Sequence, residues 1–158
     1  MIDLERALQE LHRGGVEFII VGGAAATIHG SARVTQDLDL VYARTPENIA
    51  RLAAPHSPYL RGAPPGLPFR WDAETIRRGL NFTLTTTLGD LDLLGEIVGG
   101  GGYADLLSHS QVVKLSGSEY RCLGLARLIH VKRAAGRPKD LEAVAELEAL
   151  QEERHDQK

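Results

Sequence analysis

Cysteine is nearly missing from this chain: Cys122 stands alone among 158 residues. A single thiol excludes an internal disulfide and a multi-cysteine zinc site, and the expected compartment is the cytoplasm. Long apolar runs are missing too. The longest, Phe18 to Val21 with the small residues after it, is far too short to span a bilayer, so no membrane partner is expected. No basic-then-apolar leader opens the sequence, since Met1 to Arg6 is acidic and amphipathic. A large excess of one charge sign is also missing. A net charge of −3 argues against nonspecific duplex binding, which rests on phosphate neutralisation, so any nucleic-acid contact requires a local basic patch. Neither an internal repeat nor a regular βαβ alternation is present. What remains is an ordinary globular composition, 43% hydrophobic and 25% charged, at a length that suits one domain. We expect a single domain over residues 1–150 and a polar, frayed tail over 151–158.

The pattern of apolar residues predicts the elements. Leu4, Ala7, Leu8 and Leu11 mark an amphipathic helix over Asp3 to Arg13, ended by Gly14-Gly15. Val16 to Val21 reads as a buried central strand, and Gly23 to His29 as a short helix closed by Gly30. Asp37 to Tyr42 alternates carboxylates and leucines, and Thr45-Pro46 starts a helix. His56 to Pro68, with four prolines and two glycines, reads as a surface loop that faces substrate. Asn81 to Thr87 and Asp90 to Ile97 form a hairpin around Gly89, and Gly99 to Gly102 reads as a flexible connector. Strands near Val112 to Leu115 and Tyr120 to Cys122 precede a helical hairpin, Leu125 to Ala135 and Pro138 to about Leu150. The expected class is α+β, a small mixed sheet flanked by helices with that hairpin at the C-terminal end.

Thirteen residues separate Gly22-Gly23 from Asp37-Leu38-Asp39-Leu40. Alternate carboxylates on a strand share one face, where they repel unless a cation neutralises them. A glycine pair between a strand and a helix offers backbone N–H groups to an anion. Aspartate is a poor strand former, so two at the centre of a good strand need an explanation. One part of the motif suits a divalent metal and the other suits phosphate. Asp90 and Asp92 form a second alternating pair. Asp92 is the better candidate for a third carboxylate, because Asp90 sits beside the turn at Gly89. Arg33 and Thr35 either reach toward phosphates or belong to a plain surface loop. His29 reads as a helix C-terminal residue favoured by the dipole. The cluster His130, Lys132, Arg133, Arg137 and Lys139 flanks a helix break and reads as an anion site or as a solvated charged hairpin. Trp71 and Tyr59 read as base-stacking residues or as cover for a core edge.

The segment Gly22-Gly23-Ala24-x-Ala26-x-x-His29-Gly30-x-x-Arg33-x-Thr35-x-Asp37-Leu38-Asp39, with a later Asp92, resembles the DNA polymerase β-like nucleotidyltransferase superfamily. It is similar to small prokaryotic nucleotidyltransferase-like proteins, including those related to AbiEii-type toxins of toxin–antitoxin and phage-defence systems. Leu128-Ile129-x-Val131-Lys132-Arg133-Ala134-Ala135-Gly136-Arg137-Pro138-Lys139-Asp140 resembles that group's closing Lys…Arg-x-Lys-Asp motif, so the likeness runs from about Val16 to Leu147. Gly23 stands where many members carry serine. The resemblance implies the polymerase β-like fold and two Mg2+ ions held by Asp37, Asp39 and Asp92. It also implies phosphate contacts from Gly22, Gly23, Arg33, Thr35, Lys132, Arg137 and Lys139, with Asp140 orienting a basic group.

The activity so implied is transfer of a nucleoside monophosphate from an NTP to a hydroxyl on tRNA or other RNA, on protein or on a small molecule. The alternative is a nucleotide-binding module without catalysis, one partner of a cognate toxin–antitoxin pair. A third reading, an antibiotic-modifying transferase, shares the same site.

Overall fold

The computed structural model describes residues 2–54 and 71–156. The expected proline-rich loop and Tyr59 lie outside these residues. The first helix, α1 (Leu4–Arg13), buries Ala7, Leu8 and Leu11, and the Asp3 carboxylate caps it by accepting from the Arg6 N–H. β1 (Phe18–Val21) is buried along its whole length, as its unbroken apolar run requires. It passes directly into α2 (Gly22–Ile28), and the chain returns as β2 (Asp37–Tyr42). Thr45 then caps α3 (Pro46–Leu52). After the proline-rich stretch come α4 (Ala73–Arg78), capped by Asp72, and the hairpin β3 (Phe82–Thr86) and β4 (Gly89–Leu94).

A second small hairpin follows, β5 (Glu96–Ile97) with β6 (Gly101–Gly102), and leads into α5 (Tyr103–Leu107). β7 (Ser110–Leu115), β8 (Ser118–Leu123), α6 (Leu125–Ala135) and α7 (Pro138–Asp156) complete the chain. The large sheet has the order β3-β4-β2-β1-β8-β7. β1 runs antiparallel to β2 and parallel to β8, while β2 runs parallel to β4. This is the mixed α+β architecture that the sequence pattern predicts, with the leucines of β2 and β4 in the core.

Three expectations are corrected. The glycine run at 99–102 is no loose connector: two of its glycines form β6, and Gly99, at φ +77°, passes so close to α6 that any Cβ would overlap Ala134. The last helix does not fray at 150 but continues through Asp156. It is anchored there by Arg154, whose Nη2 donates to the His29 carbonyl at 3.1 Å. His29 is not a charged dipole partner. It is 4% exposed, its Nε2–H donates to the Leu123 carbonyl at 2.7 Å, and Nδ1 accepts from Arg154 at 3.1 Å. Burial, more than the opposing bond to Leu123, lowers its proton affinity and keeps the ring neutral. Trp71 serves the core edge, donating its ring N–H to the Leu52 carbonyl at 2.9 Å and packing edge-on against Phe82.

Candidate metal and nucleotide site

The register of β2 against β4 builds the centre of the site. Asp37 lies opposite Asp90 and Asp39 opposite Asp92, and residues opposite one another on paired strands share a face. The structure brings carboxylate oxygens of Asp37, Asp39 and Asp92 within 4.8 Å of one another. Asp90 faces the same side but belongs to the end of the strand beside the turn, and no carboxylate cluster includes it among the described residues.

Crowding of like charge shows in the proton affinity of Asp39, which is pushed up to about 7. Burial is the main cause, followed by hydrogen bonding with Asp92 and the negative charges of Asp92 and Asp37; Lys132 pulls the other way. The hydrogen bond between Asp39 and Asp92 exists only while one of them holds a proton. With both ionised, Asp92 Oδ1 is a buried oxygen without a hydrogen-bond partner among the described residues. Such an atom is costly to leave unpaired. A hard divalent cation meets all three requirements of these carboxylates: it takes oxygen ligands, offsets their repulsion, and pairs the orphaned oxygen. The donor set therefore fits magnesium.

The glycine pair does more than approach a ligand. Gly22 adopts φ +63° at the junction of β1 and α2, and a Cβ there would overlap Asp39 Oδ2. Glycine at this position is what allows Asp39 to stand against the helix start. A Cβ on Gly23 would sit 2.9 Å from Thr35 Oγ1, so the threonine fills the space a serine would need. Thr35 Oγ1 in turn donates to the Asp37 carbonyl at 2.9 Å and fixes the entry into β2.

A buried carboxylate organises the basic residues. Asp140 is 1% exposed at the start of α7. Arg137 Nε donates to its Oδ2 at 2.6 Å and Nη2 to its Oδ1 at 3.2 Å, and the Arg137 backbone N–H adds a third bond at 3.2 Å. Lys132 Nζ lies 3.6 Å from Asp140 Oδ1. The hydrogen bonds from Arg137 hold the Asp140 carboxyl below the usual carboxylate range despite its burial. Gly136, in the left-handed conformation at φ +67°, ends α6 and turns the chain so that Lys132 and Arg137 meet at this one acid.

Two clefts meet at Asp39, Lys132, Arg137 and Asp140. The first, about 430 Å³, runs between the 31–37 segment and α7 and includes Gly23, Arg33, Thr35, Asp37 and Lys139. The second, about 400 Å³, runs under α6 toward β5 and includes Gly22, Asn81 and Val98. Glu146 lies in the first cleft, where its carboxylate accepts from Arg33 Nε at 3.3 Å. The sequence reading missed Glu146 and Asn81. Glu146 had a signal, because Lys139, Asp140, Ala143, Glu146 and Leu147 are spaced to share one helix face. Asn81 had none, as it enters through the pairing of distant strands. No helix among the described residues is long and apolar enough to cross a membrane.

No protein-family model and no curated protein matches this sequence. A solved structure does: a Thermotoga maritima protein described as a candidate nucleotidyltransferase, 14% identical, with a TM-score of 0.52 over 99% of this chain and 96% of the other. At that identity the likeness is one of fold, and this chain has the fold of that protein.

Proposed function

We propose that this protein is a magnesium-dependent nucleotidyltransferase, moving a nucleoside monophosphate from an NTP to an acceptor hydroxyl and releasing pyrophosphate. The observation that carries the reading is the cluster of Asp37, Asp39 and Asp92, whose Asp39 lines both clefts, beside the Arg33, Lys132, Arg137 and Lys139 of the first cleft. Asp37, Asp39 and Asp92 would hold two Mg2+ ions, which when bound neutralise phosphate charge and polarise the reacting oxygens. Arg33, Lys139 and the Lys132–Arg137 pair would grip the triphosphate, with Asp140 orienting that pair and Thr35 shaping the floor. Gly22 and Gly23 keep the α2 backbone accessible and bare of side chains. Asp92, whose Oδ1 lacks a donor of its own, would receive the proton of the acceptor hydroxyl. Tying the triphosphate and acceptor to neighbouring interior strands of one sheet would supply the orientation that this chemistry mainly needs.

Placement in a toxin–antitoxin or defence system, and a cytoplasmic setting, rest on the sequence alone. The experiment is incubation of the purified chain with Mg2+ and each α-labelled NTP against tRNA, protein and small hydroxyl acceptors. Transfer that disappears in Asp37→Asn supports the reading. NTP binding with no transfer to any acceptor supports a non-catalytic module instead.

A further inference from the structure

The second cleft differs chemically from the first. Its walls carry the aliphatic side chains of Leu94, Ile97, Val98, Leu128 and Val131. Val98 is 69% exposed, a large apolar group left in water at a cleft otherwise shielded by α6. Its position is enforced from the sequence: the close approach of Gly99 to Ala134 presses the β5–β6 hairpin against α6 and closes this side. Both cations that border the cleft, Lys132 and Arg137, are paired with Asp140. Of its three acids, Asp39, Glu96 and Asp140, Glu96 is exposed and has no ion-pair partner among the described residues. Asn81 uses its Oδ1 to accept from the Gly95 N–H at 2.8 Å, which leaves its amide donors for a ligand.

We infer that the second cleft seats the acceptor, and that the acceptor is a small amine-bearing alcohol with an apolar face rather than a polynucleotide end. The inference rests on the nucleotidyl-transfer reading. In-line displacement requires the attacking oxygen and the departing pyrophosphate on opposite sides of the phosphorus. The two clefts meet at Asp39, one along the 31–37 segment and the other under α6, and the first, with Arg33 and Lys139 beside Lys132 and Arg137, suits pyrophosphate. The attacking hydroxyl then enters from the apolar one. A volume near 400 Å³ is that of a small-molecule site. A phosphodiester chain needs cations of its own, and here Lys132 and Arg137 already face the triphosphate while Glu96 would oppose the chain. An ammonium group pairs with Glu96, carbon packs on Val98 and Val131, and the hydroxyl is left facing Asp39.

The test uses the full chain with methyl-labelled isoleucine and valine, and three probes: 2-amino-1-phenylethanol, its amine-free analogue 1-phenylethanol, and a short oligoribonucleotide with a free 3′-hydroxyl. The amino alcohol should shift the Ile97, Val98 and Val131 methyl signals in a saturable way, with the neutral alcohol about tenfold weaker. Glu96→Gln should bring the two affinities together. With Mg2+ and labelled NTP, the amino alcohol should receive label at least about tenfold faster than the oligoribonucleotide. Val98→Gln should lower that transfer while leaving the NTP affinity unchanged. Methyl shifts from the oligoribonucleotide alone, an amine preference that survives Glu96→Gln, or a weakened NTP affinity in Val98→Gln would each overturn the inference. The last result would mark the cleft as the nucleoside's. Saturable methyl shifts without any NTP binding would refute the transferase reading and leave the ligand assignment standing, so the two failures are separable.

Discussion

Replacing Asp39 by asparagine should make the metal-free protein more stable and the metal-binding protein useless. Asp39 in the folded chain keeps a proton up to about 7, against an ordinary 3.8. Between those two values the folded state binds more protons than the unfolded state, so stability falls as pH rises through the window and stays lowered above it. At about 1.4 kcal/mol for each tenfold change in proton affinity, the full gap is on the order of 4 kcal/mol. Asp39 is partly open to solvent, and screening brings the expected gain to about 2–4 kcal/mol at pH 8. In a chain of this length that is roughly 5–10 °C in Tm. Asparagine imitates the neutral carboxyl, so the parent and variant should converge near pH 4. Magnesium should reverse the order: at about a hundredfold excess over its dissociation constant it stabilises a binding-competent parent by about 2.7 kcal/mol, and the variant hardly at all. Thermal unfolding at pH 4 and pH 8, with and without Mg2+, reads all four corners. A variant no more stable than the parent at pH 8 without metal would refute the reasoning, as would equal stabilisation of both by magnesium.

Other substitutions test the surrounding frame. Gly22→Ala combines a left-handed backbone with an overlap on Asp39, and should cost about 1–3 kcal/mol while weakening Mg2+ binding, read by calorimetry. His29 is buried neutral, so stability should fall as pH drops below its ordinary 6.5, where the unfolded chain takes up a proton first. In His29→Gln that part of the pH dependence should vanish from urea titrations. Asn48, fully buried, accepts from the Glu17 N–H at 2.7 Å and donates to the Glu17 and Ala43 carbonyls at 3.0 and 2.7 Å. Asn48→Leu leaves the Glu17 N–H and the Ala43 carbonyl without that partner, while the Glu17 carbonyl keeps its bond from the Ala43 N–H, and should cost about 2–5 kcal/mol by denaturant unfolding.

The parts of the site legible in the sequence are those written in short-range pattern. Alternation places Asp37 and Asp39 on one face whatever the strand's neighbours, and a glycine pair after an apolar strand marks a tight strand–helix junction. The partnership of Asp92 with Asp39 is a matter of register between distant strands, and it was within reach because β4 carries the same alternation. What stayed hidden depends on tertiary approach. The reason for Gly22 is the neighbouring Asp39 side chain, and the reason for Gly99 is Ala134, neither of which a glycine count reveals. Freedom of the glycine backbone was read as flexibility, whereas its use here is closeness. α4 and α5 span six and five residues, too few for a helical period to declare itself. The extension of α7 to Asp156 depends on Arg154 reaching His29, a contact 125 residues apart in sequence.

That the carboxylates of β2 and β4 bind metal for the sake of a nucleotide is the proposal on which the other roles depend. It is tested most directly by calorimetric titration of NTP into the parent and into Asp39→Asn, with Mg2+ and with chelator. The parent should bind NTP at least about tenfold more tightly with Mg2+ than without, because the clustered carboxylates of Asp37, Asp39 and Asp92 otherwise repel the triphosphate. The variant should show almost no magnesium dependence. NTP affinity in the parent that is indifferent to magnesium would contradict the account.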